Sequence, residues 1–194
     1  PYNKETFCPF YDQGLLIDAT PAGNTRIAMC CLQARTEVDQ VDFNHPALIQ
    51  LRKESSVAIP AVCDRHCKID NSINNGRQFA INEKWWDSSG QYIKKLHLKQ
   101  GLICNLKCIS CSSTYSSSWN TDYQIFEPGA PTVRLVRDAD SSWSHLDLSH
   151  LTELHFDGGE PLLNTDSINI LRHLDNLNLL HNVSLNYNTN GTVF

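Results

Sequence analysis

Three cysteines within eight residues, Cys104-Asn-Leu-Lys-Cys108-Ile-Ser-Cys111, constrain this 194-residue chain more than any other stretch. Thiolates at that spacing can grip one face of an iron–sulfur cluster, because soft sulfur ligands suit such clusters. A cubane cluster has four irons, so three cysteines leave one iron open to a small molecule. The run before the loop, Tyr92-Ile-Lys-Lys-Leu-His-Leu, alternates Leu96 and Leu98 against His97 and predicts a strand that enters the loop through Gly101.

A second strand is expected at Leu151–Asp157, turning out through Gly158-Gly159-Glu160-Pro161. Glycines there let the backbone approach a ligand closely, and a carboxylate beside a cation is sound chemistry. Asn164 or Thr165 can cap a following helix with Asp166 in its first turn and an apolar stripe of Ile168, Leu171 and Leu174. Val183, Leu185 and Tyr187 then alternate with polar residues as a third strand, which ends in Asn188-Thr-Asn190-Gly191. Between the first two strands, Tyr115 and Trp119 lie four apart on an expected helix. Residues 120–145, with Pro128, Gly129 and Pro131, read as a loop or insertion. Strand, helix, strand, helix, strand implies parallel β/α units in an α/β fold.

The cysteine loop followed by the Gly-Gly-Glu-Pro turn resembles the radical S-adenosylmethionine (radical SAM) superfamily. The resemblance implies a [4Fe-4S] cluster on Cys104, Cys108 and Cys111, with S-adenosylmethionine bound to the open iron. It also implies that Gly158, Gly159, Glu160 and Pro161 orient the methionine moiety, that Asn190 faces the active site, and that reductive cleavage yields a 5′-deoxyadenosyl radical. Residues 91–194 would then be the front half, about three β/α units, of a partial barrel, and a truncated chain is expected. The commonest substrate class in such a setting is a peptide or protein, with a flavodoxin or ferredoxin as reductant. No side chain is assigned as a general acid or base, because the initiating chemistry belongs to the cofactor.

The first third carries its own cysteines: Cys8, the pair Cys30-Cys31, and Cys63-Asp-Arg-His-Cys67. Pro21, Gly23 and Asn24 lie between short apolar runs, a hairpin signal that would bring Cys30 and Cys31 back to the end where Cys8 lies. A helix with Pro46 in its first turn and Leu48 and Leu51 on one face is expected before Pro60. Cys8-Pro9-Phe10, the cysteine pair and Cys63/Cys67 resemble the twitch module, a shortened relative of the SPASM auxiliary-cluster domain. That resemblance implies that residues 1–90 form a hairpin-plus-helix module holding an auxiliary [4Fe-4S] cluster on Cys8, Cys30, Cys63 and Cys67. Cys31 is the alternative to Cys30. Four cysteines also suit structural zinc, so a non-catalytic zinc-binding protein and an incomplete cluster-binding fragment stand as rival readings. Trp85-Trp86 reads as packing between two domains.

Eight cysteines without a secretory signal suggest metal binding rather than a disulfide framework. The formal net charge of −5 argues against a general nucleic-acid surface or an anionic membrane as partner. No apolar run is long enough to span a bilayer, so a soluble, cytoplasmic protein is expected.

Overall fold

The computed structural model describes residues 8–19, 23–31, 33–58, 60–64, 80–82, 91–99, 101–113, 115–129 and 142–193. Cys67 and the Trp85-Trp86 pair, both singled out in the sequence, lie outside the described residues.

The architecture is α/β, built on one six-stranded mixed sheet. In chain order the elements are α1 (Pro9–Gln13), β1 (Gly14–Ala19), β2 (Thr25–Ala28), β3 (Thr36–Val38), α2 (Pro46–Val57) and α3 (Ala61–Asp64), followed by β4 (Lys95–Lys99), α4 (Asn120–Phe126), β5 (Glu153–Asp157), α5 (Thr165–Asn176) and β6 (Ser184–Tyr187). The strands lie in the order β3-β2-β1-β4-β5-β6. β1, β4, β5 and β6 are mutually parallel, while the β1–β2 hairpin and β3 run antiparallel. The expected hairpin and the three expected parallel strands are all present. All of these strands belong to one sheet, in which β1 pairs directly with β4.

Strand alternation gives the parallel strands two unlike faces. Leu15, Leu96, Leu154 and Leu185 form one cross-strand row, and Ile17, Leu98, Phe156 and Tyr187 form the next on the same face. The core packs there against Leu48 and Leu51 of α2, Ile170 and Leu174 of α5, and Trp143 and Leu148 of the segment before β5. The other face carries His97 and His155, then Asp18, Lys99 and Asp157. Asp18 is fully buried and pairs with Arg26 of β2, with Arg35 at 2.8 Å and with Lys99 of β4 at 3.8 Å. One carboxylate thus ties the hairpin to the parallel strands. Its burial is tolerable because cations surround it.

The helices begin where local chemistry sets them. Pro46 opens α2 behind His45, whose Nδ1 accepts from the Ala47 N–H at 3.2 Å. Asn164 caps α5 by accepting from the Asp166 N–H at 3.0 Å. The buried stripe of α5 is Ile170 and Leu174, whereas Ile168 is 48% exposed. The helix expected at Tyr115–Trp119 is displaced. A 3-10 turn occupies Ser117–Trp119 and α4 follows it. The serines there bond to loop carbonyls, an alternative to helix that serine side chains readily take. Among the described residues no helix is long and apolar enough to cross a membrane.

Candidate functional site

β4, β5 and β6 are adjacent and parallel, so the segments leaving their carboxyl ends emerge side by side. Those segments are the cysteine loop, the Gly158–Pro161 turn and the Asn188–Thr192 turn. Each is bonded to its neighbour. The Gly159 N–H donates to Gly101 O at 3.2 Å and the Glu160 N–H to Ile103 O at 2.7 Å, which staples the glycine turn to the start of the cysteine loop. A Cβ on Gly159 would lie 2.2 Å from Ile103 O, so only glycine permits this approach. Gly158, with φ of 123°, supplies the positive-φ bend that starts the turn.

Glu160 is 1% exposed. Its carboxylate accepts from the Leu162 N–H at 3.1 Å, from Thr189 Oγ1 at 2.8 Å and from the Asn190 N–H at 2.8 Å. The side chain therefore clamps the β6 turn onto the β5 turn. Asn190 continues the chain of contacts: its Nδ2 donates to Asn105 Oδ1 at 2.9 Å and lies 3.7 Å from Cys104 Sγ. Asn190 thus stands against the cysteine loop.

The loop is strapped from its other side by residues that sequence reasoning had assigned to a helix. Ser116 Oγ donates to Leu106 O at 2.7 Å and Ser118 Oγ to Cys104 O at 2.6 Å, while the Trp119 indole N–H donates to Cys108 O at 3.2 Å. Lys107 pairs with Asp122 of α4 at 2.8 Å. The backbone between Cys104 and Cys111 is thereby fixed at several points. Cys104 and Cys111 are half-buried and Cys108 is exposed.

The second cysteine set lies at the opposite end of the sheet. Cys8 precedes α1, which leads into the first residue of β1, and Cys30 follows β2, the antiparallel neighbour. Gly14 permits this convergence, since a Cβ there would lie 2.7 Å from Met29 O and 2.8 Å from Phe10 O. Cys8, Cys30, Cys31 and Cys63 line one cavity of about 310 Å3 together with Lys95, His97, His155, Asp157 and Asn188. Cys8 and Cys63 are buried and Cys30 is half-buried, whereas Cys31 is exposed; of the pair, Cys30 belongs to the buried set. Burial, with smaller contributions from the charges of Cys30 and Cys63, pushes the Cys8 thiol up to about 12. Tyr11, 1% exposed and unmarked in the sequence reading, places its hydroxyl 3.1 Å from Cys63 Sγ.

On the sheet side of the cavity, the His97 and His155 rings lie 4.5 Å apart. His97 Nε2 is 3.5 Å from Asp157 Oδ2. This imidazole is the main cause that holds the Asp157 carboxyl well below the usual carboxylate range, helped by the Gly158 N–H and Asn188. Burial lowers the His155 pKa, and His97 and Lys95 lower it further, which favours neutral imidazole. Asp157 is engaged on both oxygens, because Oδ1 accepts from the Gly158 N–H at 2.8 Å. That is a positioning arrangement.

Among the described residues no three or more Cys, His, Asp or Glu side chains converge closely enough to hold a metal ion. The donor chemistry of both sets still suits a soft metal group. All described cysteines are free thiols. In the buried set Cys30 and Cys63 oppose ionisation of Cys8, a repulsion that a bound cation relieves. No family model matches this chain, and no curated protein or solved structure matches it either.

Proposed function

We propose that the chain is a radical SAM enzyme, or the front part of one, acting on a peptide or protein. The observation that carries this reading is the direct bonding of three turns at the carboxyl ends of adjacent parallel strands. One holds Cys104, Cys108 and Cys111, one is Gly158-Gly159-Glu160-Pro161, and one presents Asn190. Ligands of open α/β sheets characteristically sit at that edge. On this reading the three cysteines would hold a [4Fe-4S] cluster, and the Gly158–Pro161 turn would face the methionine end of S-adenosylmethionine. When bound, that pair supplies one-electron cleavage of a sulfonium and abstraction of a hydrogen atom from substrate. The protein's own part is to fix geometry. Glu160 holds the Asn190 turn, the serine strap holds the cysteine loop, and Asp157 holds the bend at Gly158.

Cys8, Cys30 and Cys63, with Cys67 as the fourth candidate, form an auxiliary site on the same reading. The cavity that starts at these thiols follows the polar face of the sheet toward Asp157, whose strand end opens into the glycine turn. At about 310 Å3 it falls at the small end of ligand pockets and suits a side chain of a peptide. β4, β5 and β6 with their helices correspond to about three units of a larger barrel.

Iron and acid-labile sulfide after anaerobic reconstitution test the reading, on wild type and on a Cys104/Cys108/Cys111 triple-alanine variant. About eight irons falling to about four is the expected result for two cubane clusters, with 5′-deoxyadenosine formed by the wild type only. Zinc without iron would replace the proposal with a structural protein.

A further inference from the structure

Beside the buried thiols stands a phenol to which the auxiliary-site reading gives no role. Tyr11 sits on α1, three residues after Cys8, and is held in place by the Tyr11 N–H donating to Cys8 O at 3.0 Å. Its backbone carbonyl is fixed in turn by the Arg52 guanidinium of α2, at 2.9 Å. Arg52 also binds Phe43 O at 2.9 Å and stacks over the Phe43 ring at 4.1 Å. The phenol is thus a buried side chain on a braced backbone, and its hydroxyl reaches Cys63 Sγ at 3.1 Å.

We infer that Tyr11 is a tuning residue of the thiol site, its O–H donating to the sulfur of Cys63 when that sulfur binds a metal. The inference rests on the reading of Cys8, Cys30 and Cys63 as metal ligands. The direction of the bond follows from chemistry. A metal-bound thiolate has no proton to give, so the phenol must be the donor. A hydrogen bond to a ligating sulfur withdraws electron density from it. Such bonds raise the reduction potential of a cluster and orient the ligand.

The test uses the full chain with Cys104, Cys108 and Cys111 replaced by alanine, so that one thiol site remains, and compares it with the same chain carrying Tyr11→Phe. The substitution keeps the ring that fills the core and removes only the hydroxyl. Circular dichroism verifies the fold of both. Cobalt(II) alone is the first probe, read through its sulfur-to-metal absorption. The Tyr11→Phe chain should bind the same amount of cobalt about tenfold more weakly or worse, with the sulfur-to-metal band moved to lower energy. After iron and sulfide reconstitution, its midpoint potential should be more negative than that of the parent. Equal affinity with an unmoved band and an unmoved potential would overturn the role of Tyr11 while leaving the site intact. Failure of the parent to bind cobalt or iron would overturn the site itself, and the tuning role with it.

Discussion

Replacing Gly159 by alanine tests the contact on which the candidate site depends. The new methyl group would lie 2.2 Å from Ile103 O and 2.7 Å from both Ile103 C and Leu102 C. These are backbone atoms of the cysteine loop, so no rotamer change relieves the clash. Turn and loop must part by more than an ångström to restore ordinary contact. That movement breaks or stretches the Glu160 N–H to Ile103 O bond of 2.7 Å and the Gly159 N–H to Gly101 O bond of 3.2 Å. Overpacking costs roughly 1–3 kcal/mol and each of the two hydrogen bonds about 1 kcal/mol, which together place the loss at about 3–5 kcal/mol. For a chain of this size, each kcal/mol shifts Tm by roughly 2–4 °C, so a fall on the order of 10 °C is expected. The assay is thermal unfolding followed by circular dichroism under reducing, anaerobic conditions. Gly191→Ala is the control, because its φ of 68° costs strain but its Cβ would meet nothing within 4 Å. It should lose only about 1–2 kcal/mol. A Gly159→Ala protein that melts within about 2 °C of wild type would refute the close-approach argument.

Further outcomes follow from other contacts. Glu160→Gln places an amide donor in a pocket of donors formed by the Leu162 N–H, Thr189 Oγ1 and the Asn190 N–H. It should cost about 1–3 kcal/mol and speed hydrogen exchange at Asn190, and unchanged protection there would contradict the clamp. The folded-state pKa of Asp157 is depressed chiefly by His97, so its stabilising contribution is fully present above the ordinary carboxylate pKa of about 3.9 and disappears as pH falls through the lower folded value. Asp157→Asn should therefore lower the urea midpoint at pH 7 and make the acid limb of the stability profile shallower; an identical acid limb would show that the pair contributes nothing. Asn164→Ala removes the cap on the Asp166 N–H and should cost about 1 kcal/mol in the same urea titration, with a loss below a few tenths of that counting against the cap.

Much of the scaffold was legible because it depends on neighbours in sequence. Leu96 and Leu98 alternate with His97, and Leu154 and Phe156 with His155, so the strands and their buried faces could be read off a period of two. Pro46 and Asn164 announced helix starts, since one lacks an N–H and the other offers an oxygen to an orphan donor. The serine-rich stretch misled for a physical reason. Spacing placed Tyr115 and Trp119 on one helical face, but Ser116 and Ser118 found the carbonyls of Leu106 and Cys104 instead. Ile168 fitted the expected stripe equally well, yet Ile170 is the residue turned toward the sheet.

The sequence by itself determined an α/β chain with two sets of thiols and a glycine turn following a strand. Side-chain period, turn chemistry and cysteine spacing are local properties and need no fold to be read. Only tertiary structure decided that the N-terminal hairpin joins the parallel sheet through β1 and β4, because strand pairing is a long-range choice. The fold alone also decided what Glu160 and Tyr11 do. Glu160 meets Thr189 and Asn190, and Tyr11 meets Cys63, across separations of 29, 30 and 52 residues. No pattern in sequence encodes such contacts, since they exist only once the parallel strands bring their ends together and α1 packs against the helices that follow the hairpin.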